Sequence, residues 1–232
     1  ARGEYTIHAD PDDWVEPNML EELYAKAKAE DADIVICDFY YEYSPTRITV
    51  CRQRLKDRHP EMVIAQLFRM EVTGCVWNKL VRTSLFRENG ISFPKGINIG
   101  EDYSVVVALL LVAQKISSVD LPLYHYIRNQ GSMTKRKSED LLMQRTAFVE
   151  LVEEKVTGRD KLLADLPYFR LMVKCDILVS HPSPKFYKNL YPETTRYIST
   201  SNYNWALKLC LYAGSVSSHL GYFLYRCARM FK

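Results

Sequence analysis

One run restricts the fold more than any other. Residues 32–43 are almost unbroken apolar and aromatic, with Ile34-Val35-Ile36-Cys37 at their centre. Such a run fits a strand buried on both faces, not one with a wet side. Residues 4–9 are short and β-prone, and they end at an acidic cluster. Between these strands Pro17 stands where a first helical turn tolerates proline, and Leu20, Leu23, Tyr24 and Ala27 follow at the spacing of an amphipathic helix. Strand, helix, strand in that order predicts an α/β layer, with parallel strands the favoured topology.

Further along, residues 45–60 are polar and read as an irregular excursion. Residues 62–70 are helical by spacing. Trp77-Asn78-Lys79-Leu80-Val81 leads into a helix that stops at Asn89-Gly90, and residues 93–100 form a loop. A strongly apolar helix begins at Glu101 or Asp102 and runs to Ala113, and residues 116–126 give a last strand. Beyond Ser138 the pattern is helical, over 138–157, 160–180 and 203–229. The predicted organisation is therefore an α/β part over 1–136 and a helical tail over 137–232.

The totals exclude several classes. The chain has 232 residues and a formal charge of +3, with 47% apolar and 25% charged residues. That is a foldable composition, and it offers no basic, aromatic-interleaved stripe for nucleic acid. Six cysteines lack CxxC spacing, which argues against zinc and for buried, reduced thiols in a cytoplasmic setting. No signal peptide opens the chain, and Ala1-Arg2-Gly3-Glu4-Tyr5 has no initiator Met. The expectation is a chain cut from a longer one or a truncated reading frame.

Three segments carry candidate chemistry. In Asp10-Pro11-Asp12-Asp13, three carboxylates repel one another unless a cation is present. Asp10 and Asp12 flank a rigid proline and can converge on a hard cation such as Mg²⁺ or Mn²⁺. The same residues also suit a helix start. Glu101 and Asp102, after Gly100, either cap a helix or present a general base. The polar, cationic stretch from Arg128 through Ser132 and Thr134 either closes over a diphosphate or is a solvated linker. Trp77, Asn78 and Lys79 either stack on and hydrogen-bond a sugar or anchor a helix in the core. His125 reads as a satisfied sheet histidine.

Taken in order, these segments resemble the family 2 glycosyltransferases of bacterial cell-surface polysaccharide synthesis. The resemblance rests on Gly3-Glu4-Tyr5, Asp10-Pro11-Asp12-Asp13-Trp14 with Glu16-Pro17-Asn18-Met19-Leu20, and Ala32-Asp33-Ile34-Val35. It continues through Trp77-Asn78-Lys79-Leu80, Phe86 to Pro94, Gly100-Glu101-Asp102 and Pro122-Leu123-Tyr124-His125-Tyr126-Ile127-Arg128. It implies a partial GT-A fold, Rossmann-like with a mostly parallel sheet, followed by the helical C-terminal region. It also implies an inverting, metal-dependent transferase. Asp10 and Asp12 fall on the motif that holds Mg²⁺ or Mn²⁺ against the nucleotide diphosphate, with Asp13 beside them. Asp102 falls on the position of the base, next to Glu101, and Arg128, Ser132 and Thr134 fall on the loop over donor and acceptor. The family's opening strands, with Pro-x-Tyr-Asn and Asp-Asp-Gly-Ser turns that hold the nucleoside, are not in this sequence, and serine is commoner where Pro11 stands.

The expected partners are a nucleotide-diphosphate sugar donor and a saccharide or lipid-linked acceptor. Residues 205–231 are rich in Leu, Tyr and Phe, and Arg226, Arg229 and Lys232 stand at the end of the sequence. They read either as a helix on the inner face of an anionic membrane or as a helix packed in the core. Two other functions compete. A truncated, non-catalytic remnant would only bind a partner or a membrane. A phosphotransferase would also use paired Asp residues, but would be expected to carry a Gly-rich phosphate cradle.

Overall fold

A computed structural model describes residues 2–128, 139–180 and 187–230. The chain divides into two compact units, Ala1–Leu67 with Glu71–Ser132, and Phe68–Met70 with Met133–Lys232.

The first unit is built on β3 (Ile34–Ser44), whose residues from Ile34 to Phe39 are buried. One edge of β3 pairs with β6 (Ile116–Ile127), parallel, from Ile34↔Ile116 to Glu42↔Ile127. The other edge is shared by β5 (Lys79–Arg82), against Ile34–Ile36, and β4 (Arg47–Cys51), against Phe39–Ser44. Two short strands complete the sheet, β1 (Tyr5–Thr6) beside β5 and β2 (Trp14–Val15) beside β6. The order is β1-β5-β3-β6-β2. Helix α1 (Met19–Glu30) buries Met19, Leu23 and Ala27 in one cluster with Val35, Cys37, Phe39, Trp77 and Tyr124. The spacing of four between those helical residues is what turns them to one face. The unit also contains α3 (Thr83–Glu88) and α4 (Glu101–Val112), and most of α2 (Pro60–Phe68).

The α/β class and GT-A-like arrangement stand, but the sheet is not mostly parallel. Among the described strands only β3 with β6 is parallel. Antiparallel neighbours need only a short link, whereas a parallel pair needs a long crossover. β3 and β4 are joined by the two-residue turn Pro45-Thr46, so the predicted irregular excursion begins as a hairpin. The β-branched alternation at Ile48 and Val50 was the signal for it. The run at 77–81 forms β5 before the chain enters the expected helix, α3, which stops at Asn89-Gly90, and the first strand is only two residues long. At Asp38 the β3–β6 register shifts opposite Pro122, a residue with no N–H to give the ladder.

The second unit contains α5 (Glu139–Val156), α6 (Asp160–Leu163), α7 (Leu166–Ser180), a 3-10 helix (Pro192–Tyr197), α8 (Trp205–Val216) and α9 (Ser218–Met230). The predicted single helix over 203–229 is thus two helices, broken at the extended residue Ser217. Asn204 opens α8, its side chain accepting from Leu207 N at 2.9 Å. Glycines bring the two helices together. A Cβ on Gly221 would lie 2.5 Å from Gly214 Cα and 2.7 Å from Cys210 O, and one on Gly214 would lie 2.5 Å from the Tyr187 ring.

That contact gives a test. Alanine in a helix is ordinarily better than glycine by about 1 kcal/mol. Here Gly221→Ala must push one helix off the other, and a loss of about 1–3 kcal/mol is expected instead. A lowered Tm in thermal denaturation would register it, and an unchanged or raised Tm would refute the close crossing.

Candidate active site

The acidic cluster does not start a helix. α1 begins at Met19, and Asp10 to Asp13 instead make a turn closed by Asp13 N donating to Asp10 O at 3.2 Å. The chain then enters β2, which lies against Tyr124 and His125 of β6. This pairing sets the turn at the end of the central parallel pair, where open α/β sheets bind ligands.

Tyr124 ties the turn down. Its hydroxyl donates to Asp13 Oδ2 at 2.8 Å and accepts from Asp10 N at 3.0 Å. The Asp13 Oδ1 takes Ile127 N at 2.8 Å. Both oxygens of Asp13 are therefore engaged in anchoring. The Tyr124 side chain is buried, its ring stacked on Trp77 at 4.3 Å. The sequence placed Tyr124 in a family motif without giving it a role, because neither bond is visible until β2 meets β6.

Asp10 and Asp102 share one electrostatic environment. Burial, then the Asp13, Asp102 and Asp12 carboxylates, hold the Asp10 pKa above the ordinary carboxylate value. Burial also raises Asp102, against a hydrogen bond from Val76 N at 3.4 Å and the charges of His8 and Lys79. Glu101 is raised by burial, with Asp102 and Asp10 adding to it. Asp102 lies in the first turn of α4, where the helix dipole favours an anion. His8, which the sequence did not single out, stands close enough to act on both Asp10 and Asp102.

Trp77, Asn78 and Lys79 are all interior. Asn78 Nδ2 donates to Cys37 O at 2.8 Å, and Asn78 O accepts from Cys37 N at 3.0 Å. The Lys79 ammonium donates to Thr73 O, Cys75 O and Asn78 Oδ1, each at 2.7 Å. Burial lowers the Lys79 pKa to about 8, but three acceptors suit the protonated form at neutral pH. The packing supports the anchoring alternative, with β5 and the loop before it as the anchored elements. That loop supplies Val76 N to Asp102. Gly74 within it lets the Tyr103 ring approach, since a Cβ there would fall 2.1 Å from Tyr103 Cδ2.

His125 is held in the sheet, its ring nitrogens 2.6 Å from Glu42 and 3.0 Å from Glu16 and its faces stacked by Trp14 and Tyr40. Arg128 N donates to Glu42 O at 2.9 Å, and its guanidinium lies over the Tyr43 ring. Ser132 and Thr134 lie outside the described residues.

A divalent cation can be weighed against these donors. Asp10 and Asp12 offer hard carboxylate oxygens, and the repulsion that raises Asp10 is of the kind a bound cation relieves. No group of three His, Cys, Asp or Glu side chains suited to a metal occurs among the described residues. Mg²⁺ and Mn²⁺ held against phosphates need only one or two carboxylates from the protein, so the donor set fits that mode and not a closed protein cage.

Two measurements follow from this geometry. Tyr124→Phe keeps the ring but removes both bonds to the acidic turn, and a loss of about 1–2 kcal/mol in denaturant unfolding is expected. No loss would mean that the turn holds itself. Asp102 binds its proton more tightly folded than unfolded. Its contribution to stability is therefore present below the unfolded pKa and lost as pH rises through the raised, folded value. Asp102→Asn should gain Tm relative to the parent as pH rises from about 4 to about 8. A constant difference would refute the shift.

Residues 1–90 match the family model for glycosyl transferase family 2. EpsH of Bacillus subtilis, named as a glycosyltransferase, is 34% identical over 155 residues, a match spanning 65% of this chain and 45% of EpsH. The cholesterol galactosyltransferase of Borreliella burgdorferi is 35% identical over 58% of this chain and 40% of its own length. The chain thus spans less than half the length of these curated relatives. The crystal structure of S. aureus TarS in complex with UDP-GlcNAc superposes over 100% of this chain and 69% of TarS, with a TM-score of 0.61 and 16% identity, which speaks for a common fold. Over residues 1–90 the chain is thus similar to the glycosyl transferase family 2.

Proposed function

We propose that this chain carries the metal and base half of an inverting glycosyltransferase site, moving a sugar from a nucleotide-diphosphate donor to a polysaccharide or lipid-linked acceptor at the inner face of the cell membrane. The observation that carries the reading is that Asp10, in the turn before β2, and Asp102, in the first turn of α4, lie close enough for one carboxylate to raise the pKa of the other. The relatives support the substrate classes. TarS was crystallised with UDP-GlcNAc, and one curated relative is named for galactosyl transfer to a sterol.

Asp10 and Asp12 would hold Mg²⁺ or Mn²⁺, which neutralises charge on the departing diphosphate when bound. Asp13 and Tyr124 fix the turn so that Asp10 and Asp12 need not reorganise during the reaction. Asp102 takes the proton of the acceptor hydroxyl as its oxygen forms a bond to the anomeric carbon. On the opposite side the bond from that carbon to the diphosphate oxygen breaks, and the configuration inverts. A carboxylate raised toward neutrality by burial is a better base than an exposed one. Glu101 flanks the base. Val76 N orients it, and Lys79, Asn78 and Trp77 hold the loop that supplies Val76. Arg128, Ser132 and Thr134 belong on the donor and acceptor side.

Donor binding and transfer by the protein and two variants test the reading. Asp12→Ala should abolish metal-dependent donor binding, read by titration of the nucleotide sugar with and without Mn²⁺. Asp102→Asn should leave donor binding intact and lower kcat by about 10²–10⁴-fold. Normal turnover in Asp102→Asn would remove the base assignment, and donor binding indifferent to chelator would remove the metal.

A further inference from the structure

We infer that the α8–α9 hairpin is a docking face for an anionic lipid bilayer surface. The inference rests on the membrane setting just proposed for its meaning, but it concerns residues outside the catalytic unit and is tested by binding rather than by transfer.

Apolar exposure is the first observation. Along α8, Trp205, Leu209, Tyr212 and Val216 are all exposed, Trp205 at 79% and Val216 at 72%. Their spacing of four, three and four puts them in one stripe. The other side of the helix is already occupied, since Cys210 and Leu211 are buried in a cluster with Leu171, Leu178, Tyr187 and Ile198. On α9, Gly221 is packed against α8 while Leu220 and Phe223 are exposed, Phe223 at 61%. Isolated exposed hydrophobics are ordinary, but a stripe of this kind marks an interaction surface.

Charge selects the occupant. From 194 to 232 the sequence contains no Asp or Glu, in a chain that has 28, while Arg196, Lys208, Arg226, Arg229 and Lys232 all fall there. A second copy of the chain would bring the same cations against these, and like charges facing one another oppose association. An anionic headgroup layer complements them, and it accepts Trp and Tyr at the depth where a ring is half wet. No helix among the described residues is long and apolar enough to cross a bilayer. The stripe therefore lies along the surface, with its apolar side chains in the headgroup boundary.

The test uses the full chain and sedimentation with vesicles of phosphatidylcholine alone or with about one-third phosphatidylglycerol. Binding to the anionic vesicles should exceed binding to the neutral ones by about tenfold and weaken as salt is added. The double variant Trp205→Ser, Phe223→Ser should lose about tenfold in partition at unchanged far-ultraviolet circular dichroism. Arg226→Glu, which leaves the apolar stripe intact, should lose binding to anionic vesicles only. Equal binding of parent and variants, or no preference for anionic lipid, overturns the inference. So does a concentration-dependent dimer in sedimentation equilibrium that the same substitutions abolish, since the face would then be an interface between copies. Failure of the Asp12 or Asp102 variants to alter transfer would leave these results untouched.

Discussion

Parallel pairing of β3 with β6 is the constraint on which the first unit depends. It runs from Ile34↔Ile116 to Glu42↔Ile127, so the far end of β6 is placed beside the far end of β3. β2 can then pair only where Tyr124 and His125 still have a free edge, and the acidic turn just before β2 is carried with it. A one-residue slip in this ladder would turn Tyr124 to the other face of the sheet and leave Asp10 and Asp13 without the hydroxyl between them. The core and the site are thus one construction. The ring of Tyr124 packs on Trp77, while its oxygen holds the carboxylate turn.

The polar residues inside this unit serve the loop between α2 and β5. Asp38 accepts Gln53 N, Gln53 Oε1 accepts Thr73 N and Thr73 Oγ1, and Thr73 O accepts the Lys79 ammonium. Each of these four residues is hydrogen-bonded to another in the chain, which is the condition for burying such groups without a large cost. The result is a rigid loop whose Val76 N reaches Asp102. In the proposed reaction that rigidity matters more than direct contact with a sugar, because a base must be held in line with the hydroxyl it deprotonates.

The second unit follows a different rule. Its helices pack through apolar clusters and a glycine crossing, and Arg170 bridges Glu153 and Glu193 at its periphery. Its last two helices keep a large share of their hydrophobic surface outside. A helix that buried its whole apolar face would need no further partner. α8 buries one side and exposes the other, and this asymmetry is what makes it a docking surface.

The sequence by itself determined the elements whose evidence is local. The buried strand at Ile34, the apolar helix after Gly100 and the strand from Ile116 were all legible from local pattern. The ordered acidic, Trp-Asn-Lys and Glu-Asp segments were legible as a family pattern. What local pattern cannot decide is which edge meets which. Asp10 and Tyr124 are 114 residues apart, and Asn78 and Cys37 are 41 apart. Trp77, Asn78 and Lys79 therefore read equally well as a sugar platform or an anchor until the sheet closed over them. The long helix drawn over 203–229 failed for the same reason. Gly214 and Gly221 look like mere dilution in a sequence, and they become a crossing point only when two helices approach within the space a side chain would fill. Periodicity is a property of one segment, whereas pairing, burial and approach belong to two. Only the tertiary structure holds both at once.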